Sequence, residues 1–199
     1  MQRPLQEVAQ AIHPSRLILC GTTSNAISAG MATHRLLFVC LGNICRSPIA
    51  EGVFRRVAQE EGVLDRFEID SAGLGNWHVG QAPDSRAQAA ARSRGMDISD
   101  QSARQVTKGD FVRFDLLLAM DGSNYDELVE LAPKSARHKI RRFLDFAPHV
   151  AAEDVPDPFF GGTEGFNHAL DLIEAAARGL LAELLSAEET GRSATPRQA

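Results

Sequence analysis

The stretch Leu36-Leu37-Phe38-Val39-Cys40-Leu41-Gly42-Asn43-Ile44-Cys45-Arg46-Ser47-Pro48-Ile49-Ala50-Glu51 decides the reading of this chain. The apolar run from Leu36 to Val39 predicts a buried strand, and Ile49, Ala50, Val53, Phe54, Val57 and Ala58 recur at helical spacing after it. Between them lies a tight loop with a thiol, Cys40, at one end and a guanidinium, Arg46, at the other. Pro48 suits the first turn of the helix. A strand that passes to a helix through so short a loop turns several backbone N–H groups, and the positive end of the helix dipole, toward one spot. Such a spot attracts an anion, and a thiolate placed there is stabilised. Gly42 and Asn43 can take the left-handed backbone that a tight cradle needs, and the planar fork of Arg46 can pair with two phosphate oxygens at once.

Working outward, the order of elements is that of an α/β protein. Phe67 to Asp70 predicts a second strand that ends at Ser71-Ala72-Gly73. A Gly-rich loop carrying the single tryptophan, Trp77, follows, and Asp84 caps a helix through Arg94 that Gly95 closes. Thr107 to Asp110 has capping-box spacing for a short helix. Asp115 to Met120 is apolar but too short for a stable helix, so it predicts a buried strand with Asp121 at its end. Ser123 to Asp126 again has capping-box spacing for a helix to about Leu131, before Pro133. Lys139 to Phe143 is a fourth strand candidate. Ala169, Leu170, Ile173, Ala176, Ala177, Leu180, Leu181 and Leu184 mark a long amphipathic helix. Strands alternating with helices imply a central four-stranded parallel sheet with helices on both faces, and function at the carboxyl ends of the strands. Cys40, Ser71 and Asp121 all fall at such ends.

The whole chain of 199 residues, 44% hydrophobic and 24% charged, is ordinary for one globular domain with a sizeable core. A formal net charge of -5 argues against a nucleic-acid partner, since affinity for a phosphate backbone comes from clustered lysine and arginine. No stretch approaches the roughly 20 apolar residues of a membrane span. Three cysteines, Cys20, Cys40 and Cys45, are too few for a secreted disulfide framework, and a cytoplasmic protein is expected. Residues 1–34, interrupted by Pro4 and Pro14 and rich in Ser, Thr and Gly from Gly21 to Gly30, are expected to be a disordered extension, with Met31 a candidate natural start. Residues 35–186 form the expected domain, and 187–199 a loose polar tail. Cys20 has no expected role.

Cys-x5-Arg alone is a weak pattern, and a thiol in an anion cradle fits phosphate binding, redox relay or phosphoryl transfer. The sequence from Val39 to Glu51 resembles the signature of the low-molecular-weight protein tyrosine phosphatases. Val155-Pro156-Asp157-Pro158-Phe159-Phe160-Gly161-Gly162 resembles the Asp-Pro loop of the same family, and Asp70-Ser71-Ala72, Ala103-Arg104-Gln105-Val106-Thr107 and Met120-Asp121 are lesser matches, so the likeness covers about Leu36 to Leu185. The resemblance implies a flavodoxin-like three-layer fold and hydrolysis of phosphotyrosine through a phosphocysteine. It implies Cys40 as nucleophile, Arg46 with the loop residues Leu41, Gly42, Asn43, Ile44, Cys45 and Ser47 as the phosphate cradle, and Asp157 as general acid. Without it, Asp157 beside proline reads as a turn residue.

The resemblance further implies that Asn43 and Ser71 fix the cradle, that Asp121 supports it, and that Trp77 and Phe159 wall the substrate cleft. Cys45 is a candidate redox partner of Cys40. No cofactor or metal is implied, the partners are tyrosine-phosphorylated proteins, and a monomer is expected. Arsenate reductases of the same fold need further cysteines downstream, and none follows Cys45. Arginine phosphatases of the same fold carry a threonine where this chain has Ile44, which favours an aryl phosphate. An arginine phosphatase and a phosphate-binding module without turnover are the remaining alternatives. The family often shows a histidine in the stretch that is here Ser99-Asp100-Gln101-Ser102, and tyrosines at Phe159 and Phe160, so phosphorylation at those two sites is absent.

Overall fold

The computed structural model describes residues 34–193. The expectations for residues 1–33, Cys20 among them, lie outside the described residues. Strand β1 (His34–Cys40) is central, and β2 (Phe67–Gly73) and β3 (Leu116–Ala119) pair with it in parallel on either side. β4 (Ile140–Arg142) adds in parallel to the outer side of β3, giving the order β2-β1-β3-β4. The chain steps from β1 to one side, then crosses back over β1 to the other. The direction of winding therefore reverses beside the carboxyl end of β1, where open α/β sheets leave a crevice for ligands.

Both faces of β1 are buried, which accounts for its unbroken apolar run. Because successive side chains point to opposite faces, Leu36, Phe38 and Cys40 enter one core and Leu37 and Val39 the other. The first core is covered by α1 (Arg46–Glu60), α2 (Ser85–Ser93) and α5 (Thr163–Ser193). There the Phe38 ring lies 5.9 Å from Phe54 and 5.1 Å from Phe143, and each ring fully buried in this way contributes about 1.5–3 kcal/mol. The second core is closed by α3 (Asp110–Arg113) and α4 (Gly122–Leu131), with Phe111, Phe114 and Leu128 against Leu117 and Ala119.

Several element ends differ from the expectation: β1 already begins at His34, the last residue of the expected extension, and α3 starts at Asp110 with Gly109 rather than Thr107 at its cap. The cap of α4 is Asp121 rather than Ser123: its extended backbone lets the carboxylate accept the Asn124 N–H at 2.7 Å. The fourth strand is confined to Ile140–Arg142. α5 continues through the first residues of the expected tail to Ser193, and Glu188 reaches back to His34 at 2.5 Å and pairs with Arg66. Those contacts hold turns of helix that carry too few apolar residues to be recognised by periodicity.

Candidate active site

The loop after β1 is built by turning its carbonyls outward. The carbonyls of Cys40, Leu41, Ile44 and Cys45 accept N–H groups from Leu74, Gly75, Asp84 and Ile49, at 2.8 to 3.3 Å. A planar trans peptide sets its N–H opposite its C=O, so the amides of Leu41, Gly42, Cys45 and Arg46 turn to the other side, toward the cleft that these residues line. Asn43 is the one non-glycine residue with positive φ among the described residues, at 55°. Its amide consequently donates to Cys40 Sγ at 3.3 Å.

Asn43 is held in that conformation by its whole side chain. Nδ2 donates to Ser47 Oγ and Ser71 Oγ, both at 3.0 Å, and Oδ1 accepts the Arg104 N–H at 2.9 Å. Ser47 Oγ is itself 3.0 Å from Cys40 Sγ. Ser71 Oγ donates to Glu51 Oε2 at 2.8 Å, and Arg55 binds the other carboxylate oxygen at 3.0 Å. Burial raises the Glu51 carboxyl above the usual range, against the pull of Ser71 and Arg55. Arg104 is fixed in turn between Asp70 and Asp110, at 3.0 and 3.1 Å.

Arg46, only 3% exposed, is gripped from both ends of its fork. Nη1 pairs with Asp121 and donates to the Val155 carbonyl at 3.1 Å, while Nη2 donates to Asp157 Oδ2 at 3.0 Å. Burial opposes its charge, but Cys40, Asp121 and Asp157 together outweigh burial and raise its affinity for the proton. The Cys45 thiol is pushed up to about 12, by burial first and by Asp84 second. Cys40 and Cys45 are both free thiols.

These groups open onto a cleft of about 190 Å³. Its floor is Cys40, Ile44, Cys45 and Arg46; Asp157 stands at one side, and Leu41, Trp77, Phe159 and Phe160 form the rim. Trp77 is 66% exposed and Phe160 96%. The Trp77 ring lies against Gly75, where a Cβ would collide with it. Every residue singled out from the sequence for this site thus falls in or directly beneath the cleft. Sequence reasoning missed His78 and Phe160 on the rim, Glu51 and Arg104 beneath the loop, and the Val155 carbonyl. The i,i+4 spacing of Glu51 and Arg55 was the available signal for Glu51. Within the stretch Ser99 to Ser102, Gln101 donates to the Pro48 carbonyl at 3.2 Å.

A parallel α/β sheet with a Cys-x5-Arg loop at its winding reversal, and an aspartate brought to the arginine from a distant loop, defines a cysteine-dependent phosphatase architecture. The sequence profile of the family described as low molecular weight phosphotyrosine protein phosphatase matches residues 35–190, and the chain belongs to that family. The low molecular weight protein-tyrosine-phosphatase of Streptomyces coelicolor is 43% identical over 165 residues, which is 81% of this chain and 99% of that protein. A crystal structure of protein tyrosine phosphatase from Entamoeba histolytica superposes with a TM-score of 0.75 at 41% identity, covering 78% of this chain and 99% of that one. Vibrio vulnificus Wzb, solved with benzylphosphonate, superposes with a TM-score of 0.66 at 29% identity, covering 76% and 99%. The protein is an enzyme, a protein-tyrosine phosphatase, and its substrates are phosphotyrosine-containing proteins. Among the described residues no helix is long and apolar enough to cross a membrane.

Proposed function

We propose that Cys40 is the nucleophile, Asp157 the general acid and base, and Arg46 with the inward amides of residues 41–47 the phosphate holder. The Cys40 thiolate attacks phosphorus with its lone pair as the bond to the aryl oxygen breaks, and the Asp157 proton goes to the leaving phenolate. A phosphocysteine remains. Asp157, now a carboxylate, takes a proton from water as the water oxygen attacks phosphorus; the S–P bond breaks, and thiolate and inorganic phosphate are released. The three non-bridging oxygens gather charge in both steps, and the fork of Arg46 and the loop amides meet it in place. Ser47 donates to the thiolate when phosphate departs.

The observation that carries this reading is the convergence of Asp157 and Cys40 on Arg46, the one arginine buried among the described residues, with Asp157 111 residues further along the chain. A structural ion pair would have no need of a free thiol on the same floor. Ile44 on that floor and Trp77 with Phe159 at the rim suit a flat aryl group, and the benzylphosphonate held by the Vibrio relative has that shape. Cys45, on the same floor, is the residue able to trap a Cys40 sulfenic acid formed by peroxide, releasing water as the disulfide closes. That chemistry suits a reducing cytoplasm, where such a disulfide is returned to thiols.

Hydrolysis of p-nitrophenyl phosphate at mildly acidic pH in the presence of a chelator tests the enzyme, with Cys40→Ser beside it. Turnover by the native protein, and vanadate binding without turnover by the variant, is expected. Vanadate binding by both with turnover by neither leaves only a phosphate-binding module. Faster release of phosphate from phosphoarginine than from phosphotyrosine would overturn the aryl assignment.

A further inference from the structure

Asp84 and Arg86, at the start of α2, join the loop that carries Cys40 to the loop that carries Asp157. The Asp84 amide donates to the Ile44 carbonyl at 2.8 Å, fastening the end of α2 to the cradle. The Asp84 carboxylate caps α2 by accepting the Arg86 N–H at 2.8 Å, and it takes Nε and Nη2 of the same arginine at 2.9 and 2.8 Å. A guanidinium bound by both edges of its fork is fixed in direction.

The remaining nitrogen, Nη1, points at the Asp157 loop. It donates to the Phe159 carbonyl at 2.9 Å and lies 3.4 Å from that of Gly161. The loop is turned back there by the Gly161 N–H, which donates to the Pro158 carbonyl at 2.9 Å. The guanidinium also lies between two rings, 5.4 Å from the centre of Phe159 and 5.0 Å from the centre of the buried Phe166 on α5. Phe159 is therefore held by its carbonyl and by its ring.

The consequence reaches the reacting proton through one residue. The Phe159 N–H donates to Asp157 Oδ1 at 3.1 Å, and Arg46 binds Oδ2. The direction of the Asp157 carboxyl is thus set by an amide on the residue that Arg86 grips. We infer that Arg86 is the positioning residue of the proton-transfer step: it orients Asp157 through Phe159 and, through Asp84, keeps the acid in register with the cradle. This rests on the reading of Asp157 as general acid. Arg86 touches neither the phosphoryl group nor the leaving oxygen in this scheme, so its removal affects substrates in proportion to their need for a proton.

Arg86→Met keeps an unbranched apolar stem and removes every donor together with the charge over the two rings, and Arg86→Lys restores a charge and a donor. Values of kcat/KM, which report formation of the phosphocysteine and not its later hydrolysis, would be measured on the full chain for aryl phosphates from dinitrophenyl to phenyl and phosphotyrosine, in the native and Asp157→Asn backgrounds. Arg86→Met is expected to slow phosphotyrosine roughly tenfold or more while dinitrophenyl phosphate changes by less than about twofold, with Arg86→Lys between native and Met. In the Asp157→Asn background Arg86→Met should add less than about twofold for any substrate. Equal slowing of all leaving groups, or the full loss repeated on top of Asp157→Asn, overturns the role of Arg86. A flat leaving-group series for Asp157→Asn alone overturns the assignment of the acid, and the role of Arg86 with it. If Arg86→Met lowers the melting temperature enough to obscure turnover, the Lys variant carries the same comparison.

Discussion

The loop from Cys40 to Ser47 and the loop from Val155 to Gly162 meet at Arg46 but are held in opposite ways. The first is buried apart from Leu41 and Gly42, its carbonyls tied outward and Asn43 bonded at every polar atom of its side chain. The second is largely exposed and is fastened at separate points: the Val155 N–H on the Met120 carbonyl at 2.8 Å, Asp157 on Arg46, and Phe159 on Arg86. The difference follows from their tasks. A nucleophile with its oxyanion donors works best fixed in advance, whereas an acid beside the leaving group must admit a protein chain and release it. Rigidity is supplied by the core in one loop and by a few surface fastenings in the other.

Substitutions on either side sharpen that contrast. The largest effect is expected from Asp157→Asn, which should lower kcat/KM for phosphotyrosine by about 10²–10⁴-fold and spare kcat/KM for substrates whose leaving groups need no proton, while kcat falls for all of them with loss of the base in the second step. Steady-state rates across a leaving-group series would show it as a steeper dependence on phenol acidity. Gly73→Ala comes next. Its new Cβ would stand 3.0 Å from the Gly42 carbonyl carbon and 3.1 Å from Asn43 N and Leu41 O, all backbone atoms of the cradle. A shift of the cradle by a fraction of an ångström should cost on the order of tenfold to a hundredfold in kcat, equally for good and poor leaving groups. A steeper leaving-group dependence in this variant would break the division of labour between the loops.

The smallest effect is on stability. The folded protein raises the Glu51 carboxyl, so it binds that proton more tightly than the unfolded chain and loses stability as pH rises through the carboxylate range toward the folded value. Glu51→Gln removes that dependence while keeping an acceptor for Ser71. Its urea midpoint should therefore gain on that of the native protein as pH rises from about 4.3 toward neutrality. A difference independent of pH would mean that the far end of the Asn43 network carries no such strain.

The two loops were also unequally legible. The strand, cradle and helix start are contiguous, so the apolar run, Gly42, Asn43 and Pro48 could be read together, and Cys40 and Arg46 followed from position alone. Asp157 gains its meaning from an arginine 111 residues earlier, and by local chemistry it is a turn residue between prolines. Only the family resemblance marked it. Arg86 was invisible for the same reason, and Arg104 was marked only within a lesser family match: each is an exposed-looking arginine until its partners on other segments are known. β4 was the weakest strand in the sequence because a strand confined to Ile140–Arg142 is too short to establish an alternation. α5 ran past its expected end because Glu188 finds His34 and Arg66 on segments that periodicity does not connect.

That last contact has a practical side. Glu188 ties the far end of α5 to His34, the first residue of β1, while Cys40 closes the same strand about 20 Å away at the usual rise of a β-strand. The two ends of the described chain therefore share one pole and the cleft occupies the other. A bead, a surface or a fused domain attached at either end faces away from the arriving phosphoprotein, and a short bridge between the ends would let the chain be reopened elsewhere without disturbing the cradle.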